Sequence, residues 1–177
     1  MIRLDTLKLY CGGNFEFQYK DFTPDKLKSD YRTDILGSVD LILHQPKSGS
    51  VTLFCTNTLG VEYIGPFYFY ENGLDGACVV SNECDMVERC THAVFLVDNK
   101  NIPGTVSEII HASLLKKNVA IFYVEKTPDA GEPEQDICNT NWYPLEFAKL
   151  VNEKTKLIKC KNRKEAKKLI KEYVKQL

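Results

Sequence analysis

Short apolar runs and amphipathic stretches alternate along the second half of the chain. Ala93–Val97 (AVFLV) and Val119–Val124 (VAIFYV) are nearly unbroken apolar segments. Such runs mark strands covered on both faces. Between them, apolar residues at 106, 109, 110, 112, 114 and 115 follow helical spacing and predict a helix over Thr105–Lys117. Glu83–Cys90 fits a short helix capped by Ser81 or Asn82. Pro144 suits the first position of a further helix, with Phe147, Leu150 and Val151 inward. Lys156–Cys160 reads as a last short strand. Asn162 then caps a final helix whose stripe is Ala166, Leu169, Ile170, Tyr173, Val174 and Leu177. Strand–helix–strand alternation predicts a parallel sheet with helices on both faces.

The first half is richer in strands. Leu7–Cys11 ends at Gly12-Gly13, a buried strand followed by a turn. Phe15–Tyr19 alternates like an edge strand. Val39–His44 and Val51–Asn57 are further strand candidates. Val61–Tyr70 is interrupted at Gly65-Pro66, and a proline there points to an edge, a bulge or a ligand loop. The expected fold is therefore α/β: a Rossmann-like or flavodoxin-like parallel sheet flanked by helices, with extra strands in the 14–80 region. At 177 residues, one domain over 1–177 is expected.

Composition narrows the function classes. The net charge of −1 supplies no global field for nucleic acid, and no nucleic-acid partner is expected. From Lys149 onward eleven Lys and Arg face three acidic residues, which reads as the wet face of a helix. Seven cysteines, an odd number with no CxxC pair, suit a reducing compartment. The first residues contain no long apolar signal region, and no apolar run is long enough for a bilayer. A cytoplasmic location without membrane contact is expected. His44, His92 and His111 share no metal-ligand spacing, and HExxH, GxSxG and GxxxxGK[ST] do not occur. Neither metal nor cofactor is expected.

Ligands of open parallel sheets bind beyond the carboxyl ends of the strands. Tyr10-Cys11-Gly12-Gly13, the segment from Asp98 to Gly104, and the start of the following helix reach that edge. Gly12, Gly13 and Gly104 would let a ligand approach the backbone. Glu83 lies ahead of one buried strand and Glu108 in the helix after it. Two such carboxylates can break and remake a glycosidic bond. Placed in a first helical turn, Glu108 would have its ionised form favoured and its pKa lowered. The same spacing, Thr105-Val106-Ser107-Glu108, also reads as a capping box with Thr105 as N-cap. Asp85 is an alternative to Glu83, and Asp98-Asn99 reads equally as a strand-end turn.

Several segments together resemble the nucleoside 2-deoxyribosyltransferase family, including its deoxynucleoside 5′-monophosphate N-glycosidases. They are Leu9–Gly13, Glu83–Thr91, the strand Ala93–Asp98, Pro103–Ile109 and Ala112–Val124. The resemblance implies Glu108 as nucleophile and Glu83 as the acid that holds the sugar and assists the leaving base. It places Gly104 at the sugar or phosphate, and Tyr10 and Gly12 on the base side. Two departures stand out: Glu83 where the family has Asp, and Thr91 where it has Asp. Tyr63-Ile64-Gly65-Pro66-Phe67 also resembles the family's opening, so either the first strand begins at Val61 or Gly65 adds a wall to the pocket. The implied activity is cleavage or transfer of an N-glycosidic bond of a small nucleoside or nucleotide through a glycosyl-Glu intermediate. The implied assembly is a homodimer or larger homo-oligomer. Alternatives are an NAD-type or cytokinin-nucleotide-type glycohydrolase, and a nucleotide-binding sensor without turnover.

Overall fold

The computed structural model describes residues 7–13, 31–32, 61–66, 76–98, 102–124, 126–127 and 135–177. The expected strands at Phe15–Tyr19, Val39–His44 and Val51–Asn57 lie outside the described residues. Among the described residues five strands form one sheet: β1 (Lys8–Gly13), β2 (Glu62–Gly65), β3 (His92–Val97), β4 (Asn118–Val124) and β5 (Lys156–Cys160). Their order is β2-β1-β3-β4-β5 and every neighbouring pair is parallel. This is the flavodoxin-like α/β arrangement. A two-residue antiparallel pair, Lys126–Thr127 with Gln135–Asp136, stands apart. Among the described residues, β2 is the strand of the 14–80 region that joins the sheet, and it lies at the sheet's edge. Lys8–Gly13 lies between β2 and β3, and Gly65 ends its outer neighbour.

Helices α1 (Gly76–Arg89), α2 (Pro103–Leu114) and α3 (Ile137–Val151) pack side by side along one face. Helix α4 (Arg163–Val174) packs on β4 and β5 from the other. Side chains alternate along a strand, so the two faces are told apart by neighbours. Phe122 of β4 meets Tyr173 of α4 edge-on at 5.8 Å. In β3, Phe95 points the other way and packs against Tyr10 at 6.0 Å. Five consecutive residues of β3, Ala93–Val97, are buried, because a parallel sheet covered on both faces leaves neither parity of side chain in water.

Asn162 caps α4 as expected: its Oδ1 accepts from Glu165 N at 2.9 Å, while Glu165 Oε2 accepts from Lys161 N at 2.6 Å. Ala166, Ile170 and Val174 form the buried stripe. Lys164, Lys168 and Lys171 are exposed, so the basic run is the wet face. Leu177 lies past the helix end and is exposed. Helix α3 departs more from expectation. It begins at Ile137, and Pro144 sits inside it. The polar run Cys138-Asn139-Thr140-Asn141 carries no apolar period that would announce a helix. The inward residues are Leu145 and Ala148, while Leu150 is 84% exposed. No helix among the described residues is long and apolar enough to cross a membrane.

Candidate active site

The chain leaves β1 for the edge strand β2, then returns to β3 on the other side of β1. The strand order reverses there, and the crevice at the carboxyl ends of β1 and β3 is where such sheets bind ligands. Gly12 occupies that end of β1, on the face shared with Tyr10 and Phe95. A Cβ on Gly12 would collide with the Phe95 ring and stand 2.6 Å from Glu108 Oε2. The missing side chain is therefore what lets the Glu108 carboxylate lie against the strand backbone.

Glu108 is not in the first turn of its helix. The N-cap is Ile102, Pro103 follows at the first position, and no side chain among the described residues caps the helix. The expected capping box is absent: Thr105 is a buried helical residue. Pro103 starts the helix earlier because it lacks the N–H that a first turn leaves unpaired. Glu108 lies in the second turn, beside the buried stripe Thr105, Ile109 and Ala112. The helix field fades within its first turn, so the expected lowering of the pKa is reversed. Burial, then the charge of Glu83, pushes the Glu108 carboxyl up to about 8, against the pull of Arg32 and the Tyr10 hydroxyl. Glu108 is half-buried as a residue. Its Oε2, however, is sealed from solvent with no hydrogen-bond partner among the described residues.

Glu83 comes from α1, which begins at Gly76 rather than near Ser81. The residue is thus mid-helix and faces α2. Burial raises its pKa and Arg32 lowers it. Glu83 and Glu108 line one cavity of about 570 Å³, whose other walls include Val80, Val87, Ile110 and Leu114. The two acids converge on one space, as their spacing around β3 suggested. Gly104 is at the rim, with nothing within 4 Å of where its Cβ would be. One turn beyond Glu108, His111 reaches across to Glu88 of α1 at 3.6 Å.

Tyr10 is wholly buried. Burial, then the charges of Glu108 and Glu83, raises its pKa, so it is a neutral phenol beside the two acids. Two further residues escaped the sequence reading. Tyr31 Oη donates to Gly12 O at 2.5 Å, and Arg32 donates to Cys11 O at 2.8 Å through Nε and to Gly13 O at 2.6 Å through Nη2. They sit in a polar stretch with no motif, and no spacing signal marks them.

Two of the expected ligand residues lie elsewhere. Asp85 is exposed and pairs with Arg89 at 3.1 Å. Two residues along a helix turn a side chain by about 200°, so Asp85 points away from the face that carries Glu83. Asp85→Ala is expected to leave any turnover within about twofold of wild type in a steady-state assay, since exposed i,i+4 pairs contribute only a few tenths of a kcal/mol. Asp98 is buried at the end of β3, where its carboxylate meets Arg163 Nε of α4 at 3.0 Å; it ties the sheet to the opposite helix layer. Gly13 lies at the site through its carbonyl. Gly65 ends β2 with φ +150°, a backbone conformation that excludes side chains, and a Cβ there would meet Met86 Sδ at 2.5 Å. It shapes the packing of α1 on β2 at the outer side of the crevice. Among the described residues no three His, Cys, Asp or Glu side chains gather as a metal site.

No known family profile matches the chain, and no curated protein matches it. Among solved structures it is similar to a CMP N-glycosidase of Clostridium botulinum, BcmB, with a TM-score of 0.52 over 94% of this chain and 99% of that one, at 15% identity. At that identity the likeness shows a shared fold.

Proposed function

We propose that the protein cleaves or transfers the N-glycosidic bond of a nucleoside or nucleotide. The observation that carries this is the meeting of Glu108 and Glu83 in one cavity between α1 and α2, with Glu108 seated on Gly12 at the end of β1. The fold shared with a solved N-glycosidase supports it. Burial and the neighbouring Glu83 charge hold the Glu108 proton to about pH 8, so the two carboxyls do not both ionise at neutral pH and the pair keeps one proton. That is the state glycosyl transfer needs. The reactive form is the one in which the shared proton has moved from Glu108 to Glu83: the Glu108 carboxylate then attacks C1′ as the C1′–N bond breaks, the bond's electron pair leaves with the base, and the proton on Glu83 goes to the departing nitrogen. Water, or the nitrogen of a second base, then attacks C1′ and frees Glu108. Burial of Glu108 favours this step, because a carboxylate stripped of water gains most from a developing cation beside it.

A panel of nucleosides, nucleotides and NAD, scored for free base, tests the reading. Base release from a nucleoside or nucleotide supports it. Nicotinamide release alone indicates a dinucleotide glycohydrolase, and binding with no release indicates a sensor. The shared proton also sets the pH dependence. The rate is expected to follow a bell, falling above about pH 8 as the pair loses its last proton and falling again in acid when both carboxyls are protonated. A rate that kept climbing through pH 9 would rule out the acid role of the pair.

A further inference from the structure

The outer neighbour of β1 stops pairing with it at Tyr10. Beyond that point the carbonyls of Cys11, Gly12 and Gly13 accept hydrogen bonds from Tyr31 and Arg32. Arg32 is 5% exposed. A buried guanidinium cannot shed its charge, so a permanent cation is held against the strand end that Glu108 packs on. We propose that Arg32 is the positioning residue of the acid pair: its fork holds the Cys11–Gly13 backbone against Glu108 and fixes a positive charge at that strand end. This rests on the glycosidase reading for its catalytic meaning but not for its electrostatics.

Among the described residues, Tyr10 on β1 and Arg32 act on the pair formed by Glu83 on α1 and Glu108 on α2, while Tyr63 on β2 acts on Tyr10. Tyr10 feels Glu108, Glu83, Tyr63 and Arg32, and among the described residues Arg32 is the cation that acts on both carboxyls. His111, one turn along α2, is turned to Glu88. Removing Arg32 therefore takes away the cation that, among the described residues, offsets both acids. Replacing it with Lys keeps the charge but loses the planar fork that spans two carbonyls.

The test uses the full chain with ¹³C-labelled glutamate side chains, Glu108 being assigned from the signal lost in Glu108→Gln. Arg32→Met is expected to raise the Glu108 titration midpoint by about one pH unit or more, the usual effect of losing a close opposite charge. Arg32→Lys is expected to leave the midpoint near wild type and to lower kcat about tenfold or more with KM little changed, as a displaced reacting group does. A folded Arg32→Met with an unmoved midpoint overturns the proposal, as does Arg32→Lys with wild-type kcat. If Arg32→Met does not fold, the Lys variant decides. Should wild type release no base from any substrate, the glycosidase reading fails while the midpoints still judge Arg32.

Discussion

Glu108→Gln is expected to remove base release, by about 1,000-fold or more as loss of a covalent nucleophile commonly does, while ligand binding persists. The same variant carries a stability effect that an ordinary surface glutamate would not show. The folded protein holds the Glu108 proton with a pKa of about 8, against 4.5 for an unperturbed carboxyl. A raised folded-state pKa means that stability is full below about pH 4.5 and is lost as pH climbs through about 8. Gln has no proton to lose. The variant should therefore match wild type near pH 5 and exceed it at pH 9, by on the order of 3 kcal/mol once the half-exposure of the residue is discounted. Urea midpoints across pH 5–9 measure this. Parallel curves for the two proteins would show that Glu108 is not buried as a carboxylic acid, and the site as described would not stand.

Gly12→Ala carries the second large effect. The new methyl group would press on the Phe95 ring and on Glu108 Oε2 together. Phe95 lies in the central strand and is fully buried, so it has nowhere to go, and the carboxylate must yield. Forcing an extra carbon into packed surroundings costs about 1–3 kcal/mol. Displacing a reacting carboxylate by about 1 Å costs about 100-fold in rate. Gly104→Ala is the matched control for stability, because its Cβ would enter open space and Ala favours a helix by up to about 1 kcal/mol. Denaturant midpoints and base release of the two variants separate a close approach from a general intolerance of alanine. Wild-type stability and rate in Gly12→Ala would contradict the contact.

The parts of the fold legible in advance were those with local rules. β3 and β4 announced themselves as unbroken apolar runs, and α4 by a capping Asn162 ahead of its stripe. The helix carrying Glu108 was visible in its period but not in its start, because Pro103 and Gly104 read as a turn until a proline is allowed at the first helical position. That shift of the N-cap by three residues, from Thr105 to Ile102, moved Glu108 from the first helical turn into the second, against the sheet, and reversed the direction of its pKa shift. Helix α3 was hidden where Cys138–Asn141 show no periodicity. Tyr31 and Arg32 were hidden altogether, since what they do is bond to carbonyls nineteen to twenty-one residues away in the chain.

The chain alone determined an α/β alternation, the glycine pair closing the first strand, and the two acids flanking β3, because each follows from spacing and side-chain type within a few residues. Only the tertiary structure decided that Glu108 packs on Gly12, that Asp85 and Asp98 turn elsewhere, and that one buried guanidinium serves both acids. Those outcomes depend on burial and on charges brought together from distant segments, and neither quantity exists until the sheet and its helices have closed around them.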